Sequence, residues 1–288
     1  MKPPLYPASE ANNFGGLDFQ DYARAKVAIF PVPYDATTYY KSGAKDGPRA
    51  IIDASRHMEL YDVELKRDVS QIGIFTLPEI VCSKNSPQEA VRDIKKAVSR
   101  LLADKKFILT LGGEHTISIG AVAAFREKYK DLSVLQIDAH TDLRNEFEGT
   151  KYHHACAMRR VREMGAPITA VGIRSQERAE AEYIRKEKIK TIFYAPDLPV
   201  SKIIATLSKH VYLTFDVDGL DPSIMPATGT PEPGGLGWYE VLDLIKQVAK
   251  ARKIVGADIV ELSPLPGIVF PDFLAAKLAY KIIGYSLL

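Results

Sequence analysis

Ser133-Val-Leu-Gln-Ile-Asp-Ala-His-Thr-Asp142 is an apolar run of strand length that stops at two aspartates and a histidine. A run that is apolar throughout, rather than alternating, reads as a strand buried on both faces, as in a parallel sheet covered by helices. Two further stretches repeat the pattern. Phe107-Ile-Leu-Thr-Leu111 leads into Gly112-Gly-Glu-His115, and Val211-Tyr-Leu-Thr-Phe215 leads into Asp216-Val-Asp218. Open α/β sheets bind ligands beyond the carboxyl ends of their strands. Three strands that end in potential metal ligands therefore predict one site.

Working outward, strands are predicted at Val27–Val32, Phe107–Leu111, Ser133–Ile137, Ile168–Ile173, Val211–Phe215 and Ile254–Val260, with shorter ones near Ile72–Phe75 and Thr191–Phe193. Helices fall between them. Ser86-Pro-Gln-Glu89 has the form of a capping box with proline at the first helical position, and Val91, Ile94, Val98 and Leu101 follow on one face. Trp238–Ala251 and Phe273–Ile283 show the same spacing. Alternation of strand and helix along the whole chain predicts α/β architecture, a parallel sheet of up to eight strands between helices. No Ser/Gly/Pro-rich linker divides residues 1–288, so one domain is expected. The first 20 residues, rich in Pro, Asn and Gly, are expected to wrap the surface. Gly219–Gly237 is the longest irregular stretch, and loops of that length inside compact domains are usually functional.

A net charge of +2 gives no global electrostatic case for nucleic acid or a membrane surface. No apolar stretch has the length of a membrane span, and the N-terminus has no apolar signal region. Cys82 and Cys156 make neither a disulfide framework nor a Cys-x-x-Cys motif, which predicts a reducing cytoplasm.

Side chains two apart on a strand point the same way. Asp138, His140 and Asp142 are therefore expected to converge if the extended conformation persists, with Asp216 and Asp218 doing so from a second strand. His115 would join from a third, with Gly112 and Gly113 allowing a tight turn. Four clustered aspartates carry four negative charges, which two divalent cations would cancel. Mixed Asp/His ligation without thiolates suits Mn²⁺, with Zn²⁺, Fe²⁺ or Co²⁺ as lesser candidates.

At this point the chain resembles the ureohydrolases, the family of arginase, agmatinase, guanidinobutyrase and formimidoylglutamase. The resemblance rests on Phe14-Gly-Gly16, Pro31-Val-Pro-Tyr-Asp35, Gly43-Ala-Lys-Asp-Gly-Pro-Arg-Ala-Ile51, Gly112-Gly-Glu-His115, Asp138-Ala-His-Thr-Asp142, Gly172-Ile-Arg-Ser175, Asp216-Val-Asp218, Gly229-Thr-Pro-Glu-Pro-Gly-Gly235 and Asp258-Ile-Val-Glu-Leu262. It implies a three-layer α/β/α sandwich around an eight-stranded parallel sheet. It also implies two manganese ions, one held by His115, Asp138, Asp142 and Asp216, the other by Asp138, His140, Asp216 and Asp218. Thr214 stands where the family commonly has Ser, and Ala227 where Gly is common, the latter a change that could alter the loop lining the substrate channel.

The chemistry so implied is attack of a metal-bridging hydroxide on a guanidinium carbon, releasing urea. Asp142 is expected to accept a hydrogen bond from the nucleophile. Glu261 is expected to meet the guanidinium with two parallel hydrogen bonds. His154 is expected to shuttle a proton to the leaving amine, with His153 the alternative register. The loop from Leu143 to His154 looks like the agmatinase version, and Glu146 and Glu148 are either contacts for a cationic tail or solvated loop charges. The expected substrate is agmatine, cleaved to putrescine and urea, with arginine, guanidinobutyrate or an extended agmatine derivative as alternatives. The family resemblance also implies a homo-oligomer, a trimer or hexamer. Two rival readings are a one-zinc deacetylase of the same fold and a non-catalytic binding protein.

Overall fold

The computed structural model describes residues 12–288. In chain order the first half contains β1 (Val27–Val32), α1 (Gly47–Ser55), β2 (Tyr61–Asp62), β3 (Arg67–Asp68), β4 (Ile74–Thr76), α2 (Pro87–Ala103), β5 (Phe107–Gly112), α3 (Thr116–Lys128) and β6 (Leu132–Ile137). The second half contains α4 (Ala157–Glu163), β7 (Ile168–Ile173), α5 (Arg178–Lys186), β8 (Ile192–Tyr194), α6 (Val200–Thr206), β9 (His210–Asp216), α7 (Trp238–Ala251), β10 (Lys253–Val260) and α8 (Phe270–Leu287). Eight strands form one parallel sheet in the order β4-β1-β5-β10-β9-β6-β7-β8, while β2 and β3 pair antiparallel outside it.

Each central strand feeds two cores by its period of two. Leu109 and Leu111 of β5 pack with α1, α7 and α8, while Ile108 packs with α2 and α3 on the opposite face. Likewise Leu213 and Phe215 of β9 join the first core and Tyr212 the second. This makes the three-layer α/β/α sandwich that the sequence predicts. Burial of both faces removes the alternation and explains why the strands read as unbroken apolar runs.

The helices were less legible. Thr116–Phe125 of α3 is buried almost all round, because it lies between the sheet and α2, and so carries no amphipathic stripe. A β-carbon on Gly120 would sit 2.5 Å from the Val91 carbonyl, so the two helices pack with backbone in contact. The capping box at Ser86 is only half formed. Ser86 Oγ accepts from the Glu89 amide, but the Glu89 carboxylate turns outward to Ser83 and Asn85. Of the N-terminal segment expected on the surface, residues 1–11 lie outside the described residues. Phe19 is exposed, whereas Phe14 is fully buried, its amide bonded to Thr76 Oγ1 at 2.9 Å.

The order of strands matters for function. The chain runs from β5 to β6 across a gap that β10 and β9 later fill. Such a reversal leaves a crevice at the carboxyl ends of the central strands. The residues after β5, β6, β9 and β10 face one another there.

Candidate metal and substrate site

His115, Asp138 and Asp142 bring ligand atoms within 4.8 Å of one another, and so do Asp138, His140 and Asp218. The two groups share Asp138. Asp216 joins the first, its Oδ2 standing 3.3 Å from His115 Nδ1. All six residues expected as ligands therefore converge, but not by the route expected from strand alternation. Extended backbone ends at Ile137, and Asp142 takes a positive φ of 53°. Asp218 lies in a 3-10 turn, Val217–Gly219, whose first amide bond runs from Asp218 to Asp216 Oδ1 at 2.9 Å.

Tertiary hydrogen bonds hold these bends. Gln136 Nε2 donates to Asp138 Oδ2 and to the His140 carbonyl. The Ala139 amide donates to Asp218 Oδ1 at 3.0 Å, which joins β6 to β9. Glu180 of α5, buried, accepts from Thr141 Oγ1 and the Leu143 amide at 2.7 Å each and so bends the chain around Asp142. Arg174 gathers the carbonyls of Asp218, Leu220 and Glu232, tying the long loop after β9 to the end of β7. Glu180 was missed in the sequence, where it is one acid among several on a polar helix. Gly112 and Gly113 were expected to permit a tight turn. Their φ angles are ordinary; a β-carbon on Gly113 would lie 1.9 Å from the Tyr34 carbonyl oxygen, so close approach is what requires glycine.

His115 provides the test of whether a cation fits. Thr214 Oγ1 has one proton, given to Asp258 Oδ1 at 2.6 Å, so it can only accept from His115 Nε2 at 2.9 Å. That leaves Nδ1 as the lone-pair nitrogen. It is buried without a hydrogen-bond partner and faces carboxylate oxygens of Asp142, Asp138 and Asp216 at 3.0, 3.2 and 3.3 Å. A lone pair aimed at three carboxylates is repulsive unless something positive lies between them. Burial alone would lower the pKa of His115, but the three carboxylates outweigh it and raise it well above its ordinary value, so without a metal a proton takes that place on Nδ1, and a bound cation would displace it. Asp138 is pushed up to about 7 by burial and then by Asp218 and Asp142. The cluster therefore cannot stay fully ionised by itself, and the residues fit a pair of divalent cations.

Asp258, wholly buried, collects three hydroxyl donors, Thr214, Ser118 and Tyr212, at 2.6–2.8 Å. A carboxylate reached through a hydroxyl thus orients a ligand histidine, as partners behind a metal ligand commonly do. Thr214→Val keeps the shape and removes the acceptor. It is expected to weaken manganese affinity roughly 10-fold to 100-fold, while Thr214→Ser stays near wild type. Titration of metal-free protein with Mn²⁺ by calorimetry checks this.

A cavity of about 490 Å³ opens over the cluster, lined by His140, Asp142, His154, Asp216, Asp218 and Glu261 at its floor and by Tyr39, Tyr40 and Phe147 toward its mouth. Glu261 follows β10 with a positive φ of 65° and lies in the floor, as the sequence predicts. Its Oε1 accepts from the His115 amide at 2.6 Å, which fixes the orientation of the carboxylate and leaves acceptor capacity on both oxygens. Non-glycine residues at positive φ cost about 1–3 kcal/mol each and gather at functional sites; Asp142 and Glu261 are both of this kind.

The two adjacent histidines part company. His154 lines the cavity. His153 does not; its Nδ1 accepts from the Ala155 amide, its ring packs edge-on against Phe147, and burial drops its pKa to about 4. Glu146 and Glu148, which the sequence left open between contact with a cationic tail and solvated loop charges, are not among the lining residues, and Glu148 stands 3.7 Å from His153 Nε2. Glu177 lines the mouth in their place, exposed at the head of α5. Ala227 is buried, its carbonyl accepting from the Ser263 amide, and Gly229 and Thr230 are the loop residues that reach the cavity.

Comparison with known proteins agrees with this geometry. Residues 25–284 match the model of the Arginase family. N(1)-aminopropylagmatine ureohydrolase of Synechocystis sp. is 41% identical over 276 residues, covering 92% of this chain and 90% of that one. Agmatinase of Halalkalibacterium halodurans is 32% identical over 248 residues, covering 85% and 86%. Among solved structures, the agmatine ureohydrolase of Thermoplasma volcanium superimposes with a TM-score of 0.86 at 32% identity, over 98% of this chain and 95% of that one. The relatives are ureohydrolases, which sets aside the deacetylase and non-catalytic readings. The chain belongs to the arginase family and is a ureohydrolase, a hydrolase acting on amidine C–N bonds.

Proposed function

We propose that this enzyme binds two manganese ions and removes urea from an agmatine-type substrate, a linear guanidine with an amine at its far end. The observation that carries the reading is the lone-pair nitrogen of His115 facing three carboxylates, beside a second ligand group that shares Asp138. His115, Asp138, Asp142 and Asp216 would hold one ion, and Asp138, His140, Asp216 and Asp218 the other. Bound there, the ions would supply Lewis acidity and lower the pKa of water to near neutrality.

The chain's own residues do the rest. The Glu261 carboxylate meets the cationic guanidinium. Asp142, held at positive φ, presents its carboxylate to the nucleophile. His154 passes a proton to the leaving amine; burial lowers its pKa, so the ring is neutral near pH 7 and free to take up the proton it later delivers. Tyr39, Tyr40 and Phe147 flank the methylene chain, and Glu177 stands where a tail amine would emerge.

Within this class the sequence favours agmatine. The relative at 41% identity supports the aminopropyl-extended compound. We read the protein as cytoplasmic, from a cysteine usage that makes no disulfide framework, and no helix of the described residues is long and apolar enough to cross a membrane. We read it as one domain that assembles into a homo-oligomer; exposed Val269 and Phe270 at the start of α8 offer an apolar contact. The deciding assay incubates manganese-loaded protein with agmatine, N(1)-aminopropylagmatine, arginine and 4-guanidinobutyrate and measures urea. The highest kcat/KM is expected for one of the two amine-tailed compounds. Faster release from arginine or 4-guanidinobutyrate would overturn the substrate class.

A further inference from the structure

Thr37 lies on the loop between β1 and α1, far in sequence from His154, yet touches it. We infer that Glu114 and Thr37 are positioning residues that set the tautomer and tilt of His154. The inference rests on the proton-transfer role proposed for that histidine.

Glu114 is fully buried, and its two oxygens grip Thr37 at two points. The Thr37 amide donates to Oε2 and the Thr37 hydroxyl to Oε1, each at 2.6 Å. Thr116 Oγ1 stands 3.4 Å from the Thr37 hydroxyl, a far longer contact than the 2.6 Å to Glu114. A threonine hydroxyl has one proton, and here Glu114 takes it. Toward His154, Thr37 Oγ1 can therefore only accept. It accepts the His154 main-chain amide at 3.1 Å and stands 3.5 Å from ring Nδ1. The ring contact is long, and the amide bond is the firmer tie. Both have the same polarity, and only an Nδ1–H tautomer satisfies the second. Nε2 is then the lone-pair nitrogen, the atom left to take up and deliver a proton. His153 packs against the other side of the ring with centroids 4.2 Å apart, which limits its swing.

A buried carboxylate would cost several kcal/mol without donors, so Glu114 is well placed to hold a loop firmly. The same loop supplies Thr38, Tyr39, Tyr40 and Lys41 to the cavity wall. The arrangement has the order carboxylate, hydroxyl, histidine, and parallels the separate Asp258–Thr214–His115 chain on the metal side.

Neutron diffraction from deuterium-exchanged, manganese-loaded protein, at mildly alkaline pH, reads the tautomer directly. Deuterium on Nδ1 and none on Nε2 of His154 is expected; the reverse would overturn the assignment, and needs no variant. Thr37→Val keeps the shape and removes the acceptor. It is expected to lower kcat roughly 10-fold to 100-fold with KM and manganese content unchanged, and Thr37→Ser is expected to restore kcat. Wild-type kcat in Thr37→Val, or no rescue by Thr37→Ser, would sink the inference. His154→Ala separates the two levels. Wild-type turnover there would refute the role of His154, while the neutron map would still decide its tautomer.

Discussion

Asp138→Asn is expected to abolish urea release and to strip the protein of both metal ions, while leaving it folded. Asp138 belongs to both ligand groups, and with Asp216 it would be shared by the two ions. An asparagine keeps its size but halves the number of charged acceptors between the sites. A ligand set that loses a shared carboxylate forfeits several kcal/mol of electrostatic stabilisation, which corresponds to a rate loss of about 10³-fold or more. The fold should survive, because Asp138 is a burden to the metal-free protein. Burial, with Asp218 and Asp142 beside it, pushes its carboxyl up to about 7, so ionising it in the folded chain is unfavourable. The neutral amide escapes that cost. Metal content after gel filtration, together with thermal unfolding of the metal-free forms, checks both parts. Two retained ions, or turnover within tenfold of wild type, would contradict the shared-ligand reading.

His154→Ala is expected to lower kcat by roughly 10²-fold to 10⁴-fold, the usual contribution of a positioned acid or base, with both metals retained. The separation of the two readouts is the point. His154 lines the cavity but belongs to neither ligand group. Added imidazole should restore part of the rate, since the missing ring leaves a space open to the cavity. His153→Ala makes the contrast. His153 caps a 3-10 turn and does not itself line the cavity, so its loss should lower stability and act on kcat far less than that of His154. Metal analysis beside steady-state kinetics decides between them. A His153→Ala defect in kcat as large as that of His154→Ala would reverse the assignment.

The difference between these neighbours illustrates what could be read from the chain. Both histidines stand in one motif, and nothing in the spelling His153-His154 separates them. The 3-10 turn His154–Cys156, capped by the His153 ring, sets one ring on the Ala155 amide and the other in the cavity wall. Glu261 makes a similar case. Its place at a strand end was legible; that one of its oxygens is already bonded to the His115 amide was not, because 146 positions separate the partners.

Helices were read unevenly for identifiable reasons. α2 and α7 announce themselves by a stripe facing the core. α1 begins at Gly47-Pro48, a pair that punctuates loops as often as it opens helices. α3 is hidden by its own burial.

By itself the sequence determined the strands, the sandwich they imply and the residue types at their carboxyl ends, since a doubly buried strand must be apolar along its length and a cation site must be rich in Asp and His. Only the tertiary structure decided the strand order, in which β10 and β9 come between β5 and β6 and bring the four strand ends together. Only it decided the bends at Asp142 and Asp218, and that the Thr214 and Thr37 hydroxyls stand beside two histidines. The physical reason is the range of the forces. Burial patterns and turn chemistry act within a few residues and leave local marks, whereas hydrogen bonds that aim a lone pair join residues about 80 to 150 positions apart, and no local pattern records them.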